Sequence, residues 1–258
     1  MSQAETVNFT ITSETDITPE SSKLNRNKTR TRSRRKKSNL LNEKNDSELL
    51  IYANNINGLT SKQDSLKLIL EMVKPDIVAL TETKLHLNSN FKIDGYEVIM
   101  SNLKLGKEGI LIAAKKGTFC SIELIFESVN KNIATTEIKF PNDKIRVIVV
   151  HGPQEGDQSD IKSEFYNELD TEVQRCFFSE SKLIITGDFN AKLEDNSDIG
   201  NARYLKAIID KHQLSVLNFD CKTTGKWTRI QKRGDNEVRS VLDYIIVDEL
   251  TCGSTQVL

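Results

Sequence analysis

From Glu48 onwards, the chain consists of short apolar runs separated by polar turns and by stretches with helical spacing. Leu66, Ile69, Leu70 and Val73 stand at the i, i+3, i+4 and i+7 positions of one helix face, which predicts a helix. The spacing predicts three helices in all, over 61–73, 159–178 and 202–212. The apolar runs predict strands over 49–55, 76–80, 96–100, 109–114, 120–126, 133–140, 144–150, 183–186, 214–219, 226–230 and 240–247.

Some of these strands are joined through helices, and others follow one another directly as in a meander. This mixture predicts an α/β fold in which two mixed sheets pack face to face and are flanked by helices. The sequence has neither an internal repeat nor a Gly-rich phosphate loop. We therefore expect a single domain over 48–258.

Residues 1–47 have a different composition, with twenty Ser, Thr or Asn and few apolar residues. Such a segment cannot bury enough apolar surface to offset its conformational entropy, so it is predicted to be disordered. Within it, residues 26–37 (RNKTRTRSRRKK) hold eight Lys or Arg and no acid, while the remainder has 28 basic and 37 acidic residues, a net charge of −9. This basic cluster is interpreted as a nuclear-import signal, a nucleic-acid-binding arm or a solvated tail.

Composition narrows the cellular setting. No run approaches the roughly 20 apolar residues of a membrane span, and the N-terminus has no apolar secretory core. The four cysteines have no CxxC spacing and are typical of a reducing compartment. The prediction is a nuclear or otherwise cytoplasmic protein that is not secreted and has no membrane partner.

The sequence Gly-Asp-Phe-Asn at 187–190 directly follows the apolar run 183–186. Asp188 can handle a proton or a metal, and Asn190 can donate hydrogen bonds to an oxyanion. The alternative is an ordinary strand-to-turn transition, which uses the same residue types. Other apolar strands also end in polar residues, and this repetition predicts one convergent pocket.

These strand ends resemble those of the endonuclease/exonuclease/phosphatase superfamily, in particular the apurinic-type endonuclease domain of non-LTR retrotransposons. The matching pieces are NINGL at 55–59, TETK at 81–84, GDFNAKL at 187–193, WT at 227–228 and SVLDYIIV at 240–247. The resemblance implies a four-layer α/β sandwich that hydrolyses phosphodiesters or phosphomonoesters with Mg²⁺ or Mn²⁺. It also implies DNA or another nucleic acid as the partner.

The resemblance also implies catalytic roles. Glu82 would be the principal metal ligand, helped by Asn57, and a hard cation suits so sparse a set of oxygen ligands. Asp188 would stand beside the attacking water or the leaving oxygen, and Asn190 would hold the scissile phosphate. Asp243 would orient a catalytic histidine through a carboxylate–imidazole hydrogen bond.

The same resemblance implies roles for residues around this central group. Asn55 would support the pocket by hydrogen bonds, although a structural strand-edge Asn is an alternative. Trp227 and Thr228 would lie near bound nucleic acid, although a lone Trp is often a core residue. His151 and Gln154 stand where family nucleases commonly have Tyr and Asn, and they are predicted to contact a phosphate.

One family element has no match. The last strand of the family carries Ser-Asp-His, whereas this sequence reaches Leu258 without it, and the remaining histidines, His86 and His212, are predicted to lie at the surface. The expectation is a sandwich that is incomplete at the C-terminus and lacks its last strand or strands. Its hydrolase activity would be weak or absent. The alternatives are a non-catalytic nucleic-acid-binding module and a decayed gene fragment.

Overall fold

The computed structural model describes residues 6–11, 48–103, 107–194, 199–219, 229–233, 236–252 and 255–257. The strands are β1 (Thr6–Ile11), β2 (Glu48–Asn55), β3 (Ile77–Thr81), β4 (Tyr96–Ser101), β5 (Ile110–Lys115), β6 (Ser121–Glu127), β7 (Ile133–Lys139), β8 (Lys144–His151), β9 (Lys182–Asp188), β10 (Ser215–Val216), β11 (Arg229–Arg233), β12 (Asn236–Ser240), β13 (Asp243–Val247) and β14 (Thr255–Val257). The helices are α1 (Gln63–Val73), α2 (Ser159–Phe177), α3 (Gly200–His212) and the single turn α4 (Glu249–Cys252).

These elements form two mixed six-stranded sheets. The first sheet has the order β14-β1-β2-β3-β5-β4, and the second has the order β10-β13-β9-β8-β7-β6. A separate hairpin is made by β11 and β12. The predicted α/β fold with two mixed sheets is confirmed.

Three apolar interfaces hold the layers together. The two sheets face each other through residues such as Ile77 of the first sheet and Val147 of the second. Leu66 of α1 packs on the outer face of the first sheet. Phe165 of α2 and Leu205 of α3 pack on the outer face of the second. The resulting order is helix, sheet, sheet, helices, which is the predicted four-layer sandwich.

Strand β8 shows how the sequence produces this layering. Successive side chains of a strand point to opposite faces, so Val147 and Val149 enter the core between the sheets. Ile148 and Val150 pack under the outer helices. All four are fully buried. A strand that is covered on both faces is a continuous apolar run in the sequence. Polar residues can therefore leave the core only where the strand ends.

Some predicted elements differ from the structure. The predicted strand 214–219 is only the two-residue β10 followed by a 3₁₀ turn. The predicted strand 240–247 is divided between β12 and β13, because Val241 and Leu242 lie outside both. On α2, Ile161 shares the four-residue spacing of the buried apolar stripe but is 47% exposed, because it lies in the first turn of the helix.

One strand lies inside the segment that is predicted to be disordered. Strand β1 pairs in parallel with β2, with Val7 opposite Leu49 and Ile11 opposite Ala53. The prediction does not hold for these six residues, whose β-branched and aromatic content suits a strand. The basic cluster 26–37 lies outside the described residues, so its disorder stays a prediction.

Within the described part of the chain, no helix has the length and apolar character needed to cross a membrane.

Candidate metal and catalytic centre

Three neighbouring strands of the second sheet bring polar residues to one register position. Asp188, the last residue of β9, is the pairing partner of His151, the last residue of β8. On its other side, Asp188 pairs with Asp243, the first residue of β13. Because β13 runs antiparallel to β9, its beginning lies at the edge where β8 and β9 end. The polar residues of three strands therefore stand in one row.

This row depends on a close approach between β8 and β9. Gly187 has a φ of 130°, and a Cβ added there would lie 2.1 Å from the carbonyl oxygen of Val150. A Cβ on Gly152 would lie 2.5 Å from the carbonyl oxygen of Phe189. Real Cβ atoms do not approach so closely, so the glycines in this part of the chain allow Asp188 and His151 to stand side by side.

The first sheet contributes the facing half of the centre. Asn55, the last residue of β2, pairs with Thr81 of β3, and Glu82 follows directly. The side-chain nitrogen Nδ2 of Asn55 donates to Oε1 of Glu82 at 2.7 Å and to Oδ2 of Asp188 at 2.9 Å. Asn55 thus bonds two carboxylates that come from different sheets.

His151 completes a compact group of possible metal ligands. One ligand atom each from Glu82, His151 and Asp188 can be chosen so that all three lie within 4.8 Å of one another. Nε2 of His151 is 3.5 Å from Oε1 of Glu82. The residue is only 9% exposed, and Nε2 has no hydrogen-bond partner among the residues that the structure describes.

Glu108 was not predicted and belongs to the same centre. Its Oε2 forms an ion pair with Nδ1 of His151. Strand β5 is antiparallel to β3, so the residues just before β5 lie beside those just after β3. The backbone N–H of Lys84 donates to the carbonyl of Glu108 at 2.7 Å. In the sequence, Glu108 directly precedes the apolar run 109–114, and this position at a strand start is the signal that could have indicated it.

Lys84 links Asn57 to the centre. Its ammonium is 3.2 Å from Oε2 of Glu82 and donates to Oδ1 of Asn57. Asn57 is exposed, has a φ of 45° and donates its backbone N–H to Oδ1 of Asn55. Asn57 therefore adopts the predicted turn conformation and reaches Glu82 through a lysine. Its role as a metal ligand stays a prediction.

Asn190 is buried against the neighbouring loop. Its Nδ2 donates to the carbonyl of Gly152 at 2.9 Å, and its backbone N–H donates to Oδ1 of Asp188 at 3.0 Å. Asn201, which was not predicted, donates to the carbonyls of Pro153 and Asn190 at 2.7 and 3.0 Å. These bonds fix the loops that follow β8 and β9.

The remaining predicted residues are less closely tied to the centre. Gln154 is exposed, and its backbone N–H donates to Asp157. His86 is exposed as predicted. The prediction for His212 was wrong, because its side chain is 9% exposed. Trp227 and Thr228 lie outside the described residues.

The charges of the centre perturb two of its groups. Burial lowers the pKa of His151, but its hydrogen bond with Glu108 and the nearby carboxylates of Glu108, Asp188 and Glu82 outweigh burial and raise it. The hydrogen bond with His151 lowers the pKa of Glu108 against the opposing effect of burial. Three carboxylates thus surround one imidazole, and Lys84 lies at their rim.

This donor set fits a divalent cation. Divalent metals are bound by carboxylate oxygens and neutral imidazole nitrogens, and these are the atoms that converge here. The carboxylates of Glu82, Glu108 and Asp188 would be poor neighbours for an anion. The centre can therefore hold a divalent cation, which would polarise a phosphate ester.

Residues 55–257 match the Endonuclease/Exonuclease/phosphatase family, and the chain belongs to this family. Among solved structures of similar fold is the 3' phosphatase NExo from Neisseria, bound to a product DNA hairpin. It is 18% identical with a TM-score of 0.63, over 77% of this chain and 86% of that one. The AP endonuclease LMAP from Leishmania major is 16% identical with a TM-score of 0.63, over 77% and 78%.

A third similar structure is the endonuclease domain of TRAS1, a telomere-specific non-LTR retrotransposon. It is 17% identical with a TM-score of 0.57, over 77% of this chain and 84% of that domain. These likenesses establish the fold, and the family match establishes membership in a superfamily of nucleases and phosphatases.

Proposed function

We propose that this protein is a metal-dependent phosphodiester hydrolase that nicks DNA, with Glu82 as the principal metal ligand. The observation that carries the proposal is the Asn55 side chain, which bonds both Glu82 and Asp188 across the two sheets. This contact brings the predicted metal ligand and the predicted proton acceptor into one centre. When bound, a divalent metal such as Mg²⁺ or Mn²⁺ would polarise a phosphate oxygen and stabilise the charge that develops on it.

The remaining chemistry falls to the chain's own residues. Asp188 accepts a proton from the attacking water or stands beside the leaving oxygen. Asn190 has two amide hydrogens, one of which bonds Gly152, and it offers the other to the scissile phosphate. Asp243 stands in register with Asp188, and its proposed role is to orient a catalytic histidine through a carboxylate–imidazole hydrogen bond.

DNA as the substrate is supported by two features outside this geometry. The basic cluster 26–37 has eight positive charges that attract phosphates, and it also supports a nuclear location. The DNA hairpin bound to the similar Neisseria phosphatase supports a nucleic-acid substrate. The motifs at 187–193 and 240–247 support an origin among retrotransposon endonucleases.

The test is nicking of supercoiled plasmid by the purified full chain with Mg²⁺ or Mn²⁺, with a chelator as the metal-free control. We expect Asp188→Asn to lower the rate by about 10²–10⁴-fold, the usual contribution of acid–base groups. Asp170→Asn is the matched control, because Asp170 pairs with Lys211 and His212 on the far helices. Equal rates for Asp188→Asn and wild type would refute the assignment. DNA binding without nicking would favour a non-catalytic binding module.

A further inference from the structure

The imidazole of His151 has a use beyond the phosphate contact that the sequence predicts. Its Nε2 is buried, faces Glu82 at 3.5 Å and has no hydrogen-bond partner among the described residues. A buried nitrogen without a hydrogen-bond partner costs free energy, and a bound ion is one of the physical explanations for such an atom in a native structure. A phosphate oxygen is an unsuitable ligand here, because Glu82 and Asp188 present negative charge to the same space.

The geometry suits a metal ion. Ligand atoms about 2.1 Å from one octahedral ion lie about 3–4 Å apart. The chosen atoms of Glu82, His151 and Asp188 lie within 4.8 Å of one another, so small side-chain movements bring them to that spacing. The three residues follow or end β3, β8 and β9, which are buried strands of both sheets. The backbone of the site is therefore preorganised.

Glu108 prepares His151 for this role. A histidine that binds a metal through one ring nitrogen usually donates the other N–H to a carboxylate, which fixes the tautomer and raises the basicity of the ligand. Nδ1 of His151 pairs with Oε2 of Glu108. In the neutral imidazole, Nε2 then carries the free lone pair, and it lies 3.5 Å from Oε1 of Glu82. Glu108 is a positioning residue in this arrangement.

We propose that Nε2 of His151 is a direct metal ligand together with Glu82, next to the carboxylate of Asp188, and that the centre therefore prefers a first-row transition-metal dication such as Mn²⁺ to Mg²⁺. This inference rests on the proposed function for the metal-binding role of Glu82. The chemical reason is ligand type: Mg²⁺ is a hard ion that takes oxygen ligands and keeps its waters, whereas imidazole suits transition metals.

The experiment uses the full chain, stripped of metal by a chelator and titrated with Mn²⁺ or Mg²⁺ alone. Pulsed EPR of the Mn²⁺ complex detects a nitrogen ligand through its ¹⁴N modulation. We expect this modulation in the wild type, and we expect ¹⁵N-histidine labelling to replace it with the ¹⁵N pattern. Because labelling leaves the protein chemically unchanged, this result does not depend on any variant folding.

Variants then identify the histidine. We expect His151→Asn to lose the nitrogen modulation and to weaken Mn²⁺ binding by at least about tenfold, while Mg²⁺ binding changes little. His212→Asn is the matched control and should leave both unchanged. Glu82→Gln should remove Mg²⁺ and Mn²⁺ binding alike.

The outcomes separate the two proposals. Mn²⁺ binding that requires Glu82 but shows no histidine nitrogen would overturn the His151 ligand and leave the proposed function standing. Nitrogen modulation that persists in His151→Asn would also overturn it. Metal binding that is equal in wild type and Glu82→Gln would overturn the proposed function itself.

Discussion

The protein contains two carboxylate–histidine pairs in similarly buried positions but in different surroundings. At the centre, Glu108 pairs with Nδ1 of His151, whose side chain is 10% exposed. Behind the second sheet, Oδ1 of Asp170 on α2 lies 2.7 Å from Nε2 of His212 on α3, whose side chain is 9% exposed. Exposure therefore does not distinguish them.

Their neighbours distinguish them. The His212 ring stacks on Phe177, with ring centroids 5.5 Å apart, and Lys211 bonds the second oxygen of Asp170 at 2.6 Å. In that pair one carboxylate serves two basic groups and joins two helices. At the centre, Glu82 and Asp188 add their carboxylates to that of Glu108 around one imidazole. Because carboxylates are in excess at the centre, a bound cation would balance their charge. This excess indicates a candidate metal site more clearly than the carboxylate–histidine pair does.

The largest effect is expected from a substitution that would force apart β8 and β9, the two strands that end in His151 and Asp188. Gly187→Ala would place a Cβ 2.1 Å from the carbonyl oxygen of Val150 at a φ of 130°. We expect it to lower the free energy of unfolding by about 3 kcal/mol or more, from overlap and backbone strain together. Denaturant unfolding measures this change.

The control is Gly156→Ala, because a Cβ there meets nothing within 4 Å. It should change the stability by less than about 1 kcal/mol. A tolerated Gly187→Ala would mean that β8 and β9 need not approach closely.

A smaller effect is expected when the carboxylates of Glu108 and Asp170, the partners of the two histidines, are neutralised in turn. Glu108→Gln removes the charge that orients His151, and we expect Mn²⁺ affinity to fall by about 10–100-fold, as for other outer-shell partners of metal-bound histidine. Asp170→Asn should leave the affinity unchanged, because that pair lies behind the second sheet. Titration calorimetry measures both. An equal loss in both variants would mean that the effect comes from general destabilisation.

The smallest effect is the pH dependence of the stability that Asp170 of α2 contributes through its contacts with Lys211 and His212 of α3. Burial raises the pKa of Asp170, but hydrogen bonds and charges from Lys211 and His212 outweigh it and lower the pKa overall. A carboxyl with a lowered native pKa stabilises the fold above its unfolded pKa of about 3.9, and it loses that contribution as pH falls through the native pKa.

We therefore expect the stability advantage of wild type over Asp170→Asn to be about 1 kcal/mol or less at pH 6 and to vanish in acid. Thermal unfolding between pH 6 and pH 2 measures it, in chelator so that metal binding at the centre does not contribute. An advantage that grows on acidification would contradict this sign.

The sequence alone determined the layered architecture and part of the centre. Apolar runs such as 144–150 and 183–186 are long enough and uniform enough to be recognised locally as buried strands. The residues at their ends, His151 and Asp188, follow from the same pattern. Glu82 and Asn55 could be found for this reason, because each ends or follows an apolar strand.

The tertiary structure alone decided which polar groups meet. Glu108 precedes β5, and it reaches His151 only because β5 runs antiparallel to β3. The direction of Nε2 toward Glu82 depends on that same contact. Strand β1 joins the first sheet by pairing with the edge of β2. No local sequence pattern predicts this pairing. Periodicity records which residues are buried, but sheet order and strand direction arise from contacts between distant segments.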